Sequence, residues 1–578
     1  MDALVTYVLA ATRYILPLLA LWVIFRCLRS MLREKYEPEV WGYVLDGGAD
    51  KVYPLTHWEN LLGRAKSADV TLADRTVSRV HGVLIRGDEG QWRLFDTFSS
   101  GGAWVNGVDA EGDGAAVRSG DTITLGNKDL VFEDISAAKR AQLEARRTRA
   151  GRNIGPALTL FGLTVFQAFL MLEHSVSAKS EYVITIMLGF LALMLIEWFC
   201  YFAMRSIRRT GFEVEILAFF LTTLGLSVVA TSTPGDMFKE ILLIIAGVIL
   251  FFIMGWWLRD LERTKKMRIA VGVIALILLA LNLVIGKVSG GAKNWISLGG
   301  FTIQPSELVK VAYIYVGAAT LDRLFRTRNL IGFIAFSAIC VIALALMGDF
   351  GAALIFFATF LVISFMRSGS IATVALAVTG AGLAGFLVLS VKPYIAQRFS
   401  TWGHAWSDIY GTGYQQTRAM SAAASGGLFG KGAGEGWLKD IVAANTDMVY
   451  GVMCEELGLI MALCAILAIL VLAFFAVRSA AHGRSSYYVI AACAAVSMLM
   501  VQLALNVFGS MDILPFTGVT FPFVSKGGTS LLACWMLLAF IKASDTRKGA
   551  SFVVRAPEKV DSMGGEFDDE DDEEDDDR

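Results

Sequence analysis

Asp349, in the run LALMGDFGAALIFF, lies between two long apolar stretches with no basic residue beside it. A charged side chain at membrane depth costs roughly 2.5–3.5 kcal/mol on insertion scales, so a helical bundle rarely keeps one without a use. Its chemistry would be proton transfer, since an ionised carboxylate close to a hydroxyl can act as a general base. The bland alternative is a loop carboxylate at the membrane surface. Three further stretches gather polar side chains in the same way. They are GAKNWISLGGFTIQPSELVK at 291–310, the long segment 397–432 continuing to NTDMVYGVMCEELGL at 445–459, and LPFTGVTFPFVSKGGTS at 514–530. Pro305, Ser306 and Glu307 suit the first turn of a helix, where a glutamate can serve the dipole alone.

These residues need a bundle to hold them. The chain has 578 residues, 55% of them hydrophobic, with a positive mean hydropathy that excludes an ordinary soluble domain of this length. Apolar runs of about 17–25 residues mark spanning helices. One is expected at 5–25 and is kept as an anchor rather than a removed signal. Twelve more are expected at 155–173, 182–203, 212–231, 238–258, 267–286, 304–321, 329–347, 350–366, 370–391, 448–477, 486–509 and 523–543. Basic residues set the orientation: Arg205, Arg208 and Arg209; Arg259 to Arg268; Arg323, Arg326 and Arg328; and Arg478 and Arg484 fill alternate loops. Placing them in the cytoplasm puts 287–303, the Asp349 turn and the loop 392–447 outside. Residues 26–153 and the C-terminal segment then lie inside.

Seven cysteines fall in or beside apolar helices without paired spacing, so neither a disulfide framework nor a zinc site is expected. A divalent cation such as Mg or Mn would need carboxylates and substrate phosphates; no organic cofactor and no nucleic-acid partner is expected. Residues 544–578 end in GGEFDDEDDEEDDDR, a block of like charge expected to be disordered, with docking onto a basic partner as the alternative. KRAQLEARRTRAGR at 139–152 is expected to lie at an anionic leaflet.

Between residues 40 and 134 the pattern becomes short alternating runs broken by Gly, Asp and Asn, which predicts an all-β sandwich. LLGR at 61–64, TVSRVHG at 76–82, DTFSSGGAWVNG at 96–107 and SGDTITLG at 119–126 resemble a forkhead-associated (FHA) domain. The resemblance implies phosphothreonine binding by Arg64, Ser78 and Arg79, assisted by Ser100, with His81 bracing the loop. A phosphothreonine brings roughly −1.5 to −2 charge and three acceptor oxygens, which guanidinium and hydroxyl donors satisfy. Gly101 stands where the family usually carries an Asn that holds the peptide backbone. A sandwich that kept its scaffold and lost its ligand is the alternative.

Together the four outer signatures resemble the SEDS family (FtsW/RodA/SpoVE) over roughly 212–543. The resemblance implies a ten-span bundle, with the helices at 5–25, 155–173 and 182–203 as additions. It also implies a peptidoglycan glycosyltransferase that polymerises lipid II, the acceptor GlcNAc 4-hydroxyl displacing undecaprenyl diphosphate from a donor MurNAc. Asp349 matches the family's catalytic aspartate and would be the base. Arg398 and Lys431 would hold diphosphate or sugar, ahead of Lys287, Lys293 and Lys526, although an outer lysine is often a solvated interface residue. Glu307, Gln304, Ser525 and Glu456 complete the expected substrate-binding set; for Glu455 and Glu456 a structural ion pair is equally open. Trp295 would stack on a sugar face or mark the membrane boundary. Gly348 replaces the usual proline, Ala352 a common threonine, Asn294 a common arginine, and Lys526 a small or aromatic residue.

The expected architecture is thus a polytopic α-helical membrane protein with an inserted cytoplasmic β-sandwich. It would serve elongation, division or sporulation in the bacterial cell membrane. A class B penicillin-binding transpeptidase and a phosphothreonine protein are the expected partners. A lipid II flippase and a non-catalytic phosphothreonine-binding scaffold are the rival readings.

Overall fold

The computed structural model describes residues 2–34, 36–87, 89–289, 292–298, 301–321, 327–368, 371–391 and 399–553. Arg398, expected to hold substrate, and the acidic run near the C-terminus lie outside the described residues. Helix α1 (Asp2–Arg33) leads into a β domain of strands β1 (Gly42–Asp46), β2 (Lys51–Leu55), β3 (Glu59–Gly63), β4 (Val70–Thr71), β5 (Gly82–Arg86), β6 (Trp92–Asp96), β7 (Ala103–Val105), β8 (Val108–Asp109), β9 (Ala115–Val117), β10 (Thr122–Leu125) and β11 (Lys128–Asp134). Then follow α2 (Ala137–Arg146), α3 (Pro156–Ser177), α4 (Ser180–Ser206), α5 (Glu213–Ser232), α6 (Met237–Trp257), α7 (Leu261–Lys266) and α8 (Arg268–Ile285). A three-stranded sheet, β12 (Lys287–Ser289), β13 (Ala292–Leu298) and β14 (Phe301–Ile303), precedes α9 (Pro305–Leu321), α10 (Thr327–Leu346), α11 (Phe350–Ser368) and α12 (Ile371–Val391). The chain continues through α13 (Tyr414–Gly426), α14 (Val449–Glu456), α15 (Leu459–Ala480), α16 (Ser486–Ser510) and α17 (Gly528–Ala543).

The expected spanning segments fall on helices, with 448–477 divided between two. By length and composition, nine helices among the described residues can cross a membrane, and parts of α11, α12 and α17 form shorter apolar helices. The protein is therefore a multi-pass membrane protein. The α5 helix is buried along nearly its whole length and forms the centre of the bundle, whereas α4 and α8 leave long apolar faces outward. Two expectations change. The segment 448–477 is not one helix: it breaks at Gly458, whose φ of +89° and whose place 2.4 Å (for an added Cβ) from the Leu428 carbonyl admit no side chain. The disordered tail does not begin at 544. Asp545, Arg547, Phe552 and Val553 are buried, and Phe552 meets the rings of Phe251 and Phe252.

The β domain is a sandwich, as its alternating pattern requires. One sheet runs β2-β1-β11-β10-β7-β8 and the other β4-β3-β5-β6-β9. Val44, Leu62, Leu84, Leu94, Ile123 and Phe132 fill the space between them. Its β2–β3 end docks on the bundle. Trp58 donates its amide to the Arg484 carbonyl at 2.6 Å, and the His57 ring meets the Gly483 carbonyl at 2.6 Å. Glu59 pairs with Lys265 at 3.1 Å and accepts from Ser485 and Ser486.

Beside this contact Arg484 grips both oxygens of Glu39 at 2.6 and 2.9 Å, and Arg147 joins them. Burial alone would raise the Glu39 carboxyl, but the two guanidinium groups pull it down to about 2. A second ionic knot centres on Arg547, which reaches Glu34 at 2.8 Å, Glu213 at 3.0 Å and Asp545 at 2.8 Å. It ties the end of α1 to the start of α5 and to the segment after α17.

Candidate active site and peptide-binding face

Asp349 sits where α10 hands over to α11. Gly348 turns the chain with φ +79°, a value closed to proline, whose ring holds φ near −65°. The glycine found in place of the family's usual proline is therefore what this turn demands. Asp349 then caps α11, its Oδ1 accepting from the Ala352 amide at 3.0 Å. Its Oδ2 accepts from the side-chain amides of Asn294 on β13, at 3.3 Å, and Gln304 just before α9, at 3.4 Å.

Asp349 is 9% exposed. Burial pushes its carboxyl up, and the Ala352 amide, Asn294 and the charge of Lys310 recover only part of that shift. Three neutral donors thus hold a carboxylate whose basicity is higher than usual, which is an arrangement able to accept a proton.

Behind Asp349 stands a buried set that the spacing alone did not single out. Lys310, one helical turn after Glu307, binds it at 2.7 Å and the Gln502 side-chain oxygen at 3.1 Å. Gln502 donates to Thr520, whose hydroxyl meets Ser530 at 2.9 Å, and Thr529 accepts from the Gln304 amide at 3.2 Å. The i,i+3 spacing of Glu307 and Lys310 was the available signal. Gln502 carries none, because it comes from a helix almost two hundred residues away.

A second polar cluster forms around the α14 end. Glu455 binds Lys431 at 2.7 Å and the Leu438 amide at 2.9 Å. Glu456 accepts from Thr231 at 2.8 Å and from the Gly434 amide at 3.1 Å, while burial pushes its carboxyl up to about 7. The 514–530 segment, which supplies Thr520, Thr529 and Ser530 to the first cluster, makes further polar contacts of its own. Ser525 donates to the Thr446 carbonyl and accepts from the Phe521 amide, and Lys526 pairs with Asp236 and reaches Thr233 at 2.9 Å.

Of the expected substrate residues, Gln304 meets Asp349 directly and Glu307 stands behind it. Lys431 and Glu456 belong to the second cluster, and Ser525 holds the 514–530 segment to the Thr446 carbonyl. Alternation along β13 sends half-buried Trp295 to the face opposite Asn294. No three His, Cys, Asp or Glu side chains are grouped for a metal ion among the described residues. These residues therefore do not form a protein-only cation cage around Asp349.

On the β domain the loops from 64, 78 and 100 converge. The Ser78 and Ser100 hydroxyls are 3.2 Å apart, and the Ser100 amide donates to Ser78 at 3.3 Å. Buried His81 braces them, with Nδ1 3.0 Å from the Ser78 amide and Nε2 2.7 Å from the Gly102 carbonyl. The exposed Arg64 and Arg79 guanidinium groups meet no side chain or carbonyl among the described residues, so both are available to an anion. A Cβ on Gly101 would lie 3.1 Å from the Thr76 carbonyl and 3.3 Å from His81, so the turn is drawn in against the scaffold.

The family model for FtsW, RodA and SpoVE, described as "Cell cycle protein", matches residues 227–548. A second model, "Inner membrane component of T3SS, cytoplasmic domain", matches residues 44–136. Peptidoglycan glycosyltransferase RodA of Mycobacterium tuberculosis is 29% identical over 52% of this chain and 69% of its own. Probable peptidoglycan glycosyltransferase FtsW of Tolumonas auensis is 32% identical over 57% of this chain and 90% of its own. Stage V sporulation protein E of Bacillus subtilis is 31% identical over 56% and 94%.

Among solved structures, one described as "Structural coordination of polymerization and crosslinking by a peptidoglycan synthase complex" aligns with TM-score 0.49 at 24% identity, over 58% of this chain and 98% of that one. Another, from "Structural and functional analysis of phosphothreonine-dependent FHA domain interactions", aligns with TM-score 0.15 at 28% identity, over 16% of this chain and 98% of that one.

Proposed function

Because the chain belongs to the FtsW/RodA/SpoVE family and is a peptidoglycan glycosyltransferase, we propose that it polymerises lipid II on the outer face of the cytoplasmic membrane with Asp349 as general base. The hold on Asp349 carries this reading: among the described residues its Oδ2 is met only by two uncharged amides, and burial lifts its proton affinity. An acceptor sugar hydroxyl placed against Oδ2 would lose its proton there as its oxygen attacks the donor's anomeric carbon. The diphosphate leaves without needing a proton, so a second catalytic carboxylate is unnecessary, unlike in most glycosidases. Lys431 and Arg398 are the proposed cations for diphosphate or sugar, and Mg or Mn would be held with substrate phosphates rather than by a preformed cage. A class B penicillin-binding transpeptidase is the proposed partner.

Asp349→Asn in the purified full chain, given labelled lipid II, should lower polymer formation roughly 10²–10⁴-fold while lipid binding persists. Unchanged polymerisation removes Asp349 from the mechanism. The flippase reading has one observation behind it, the buried set Glu197, Gln167 and Thr223 in α3 to α5. Transport of labelled lipid II by the Asp349→Asn protein in sealed vesicles would favour that reading.

The proposed regulation is capture of a phosphothreonine protein by Arg64, Ser78, Arg79 and Ser100 on the cytoplasmic side. Arg64→Ala should reduce binding of phosphothreonine peptides at least about tenfold and leave polymerisation intact. Equal binding of the unphosphorylated peptide would end the phosphate-reader reading.

A further inference from the structure

At the end of the bundle that carries the basic loops, two adjoining cavities of about 650 and 480 Å³ open between the 147–157 segment, the end of α4 and residues 548–551. Both are lined by Arg147, Arg149, Arg205, Arg209, Thr210 and Lys548. Some of the surrounding charge is already matched: Arg147 and Arg484 hold Glu39, and Arg547 has its own three carboxylates. The remaining wall is cationic. Among the described residues only Glu39 and Glu144 line the cavities as acids, and Lys548 Nζ reaches the Glu144 backbone carbonyl at 2.7 Å rather than a carboxylate.

The exposed Arg149, Arg152 and Arg208 side chains have no partner among the described residues, and Arg205 meets only the Tyr201 hydroxyl, at 3.3 Å. Buried Arg209 stands among like charges: burial, with Arg259 and Arg484 nearby, presses its pKa down to about 10. The first residues of α3 line the same space. This long helix starts at Gly155 and Pro156 with no acidic residue in its first turn and no capping side chain, so its positive end faces the cavity.

Beside this basic crevice the chain is greasy. Leu158 and Phe161 on α3, Phe199 and Phe202 on α4, and Ile207 are all exposed. A free phosphate or nucleotide would use the cations and ignore that wall, whereas an amphiphile uses both. The geometry points to a binding site for an anionic phospholipid, its phosphate among Arg149, Arg205 and Arg209 and its acyl chains along the outer faces of α3 and α4. The helices that build this site lie outside the matched family region. The chain's own acidic run, Glu566 to Asp577, is the competing anion.

Native mass spectrometry of the full-length protein in detergent, titrated with phosphatidylglycerol and with phosphatidylcholine of the same chains, tests the site. The wild type should retain phosphatidylglycerol preferentially. The Arg149→Gln, Arg205→Gln pair should retain it roughly tenfold less, with phosphatidylcholine retention and the melting temperature unchanged. Should that pair not fold, Arg149→Gln alone, at an exposed side chain, should give a several-fold loss. Equal retention by variant and wild type overturns the proposal. So does displacement of phosphatidylglycerol by inorganic phosphate as readily as by more lipid, which would mark a free-phosphate site. Binding that appears only after deletion of residues 566–577 would assign the crevice to the acidic run and likewise overturn it.

Discussion

The Asp349 carboxylate differs from a solvated one in what surrounds it. Among the described residues no lysine or arginine is hydrogen-bonded to it; Asn294 and Gln304 donate through neutral amides, and Lys310 acts through its field. The charged form is therefore stabilised less than an arginine would stabilise it, and its pKa stays above the ordinary carboxylate value. A base works only when ionised, so polymerisation should fall as pH drops through that raised value. Removing one donor to the charged form raises it further. Asn294→Ala should move the acid limb of the pH–rate profile upward by about half to one pH unit, the worth of one hydrogen bond. An unmoved limb would show that Asn294 does not set the base.

Asp349 was legible in the sequence because a lone carboxylate between apolar runs is conspicuous. The Lys310–Gln502 pair was not, since a buried hydrogen bond between α9 and α16 leaves no local spacing to read. The drawn-in turn at Gly101 was visible as a departure, but its cause, contact with Thr76 and His81, depends on the tertiary fold.

Among the elements, the added helices brace the loop that carries Lys431. Glu173 of α3 accepts from the Ala433 amide, Ser177 donates to the Ala433 carbonyl, and Thr12 of α1 bonds Glu173. These helices were legible as apolar runs, yet their role was not, because it lies in contacts hundreds of residues apart. The same holds for docking of the β domain, which rests on Glu39, Glu59 and Arg484. Arg484→Ala would leave half-buried Glu39 with Arg147 alone and should cost up to about 3 kcal/mol, the low end of the penalty for breaking a buried pair. Hydrogen exchange should rise at residues 57–59 and 483–486 while the strands β5 and β6 keep their protection. No change in exchange would mean the contact is not held by this pair.

At the scale of the molecule, the polar signatures gather at one end of the bundle and the β domain binds the other. On the proposed topology these ends face opposite sides of the membrane. The native cysteines favour a direct test, since all are buried or partly so. In intact spheroplasts, a membrane-impermeant maleimide should label Trp406→Cys, at an exposed position of the outer loop, and spare Ser100→Cys until the membrane is opened. Labelling of both from outside would invert the topology. The apolar helical segments and the β-sandwich were legible because hydropathy and alternation are properties of the chain itself. Which pole of the sandwich meets the bundle was not, because it depends on matching two surfaces.

Strand β3 runs from Glu59, at the bundle, to Gly63, and Arg64 follows at once. Five residues of extended chain cover roughly 16 Å, so the arginine emerges at the pole away from the anchor. Anything seized there is moored at a set height and bearing instead of swinging on a leash. Its identity can change while its berth does not.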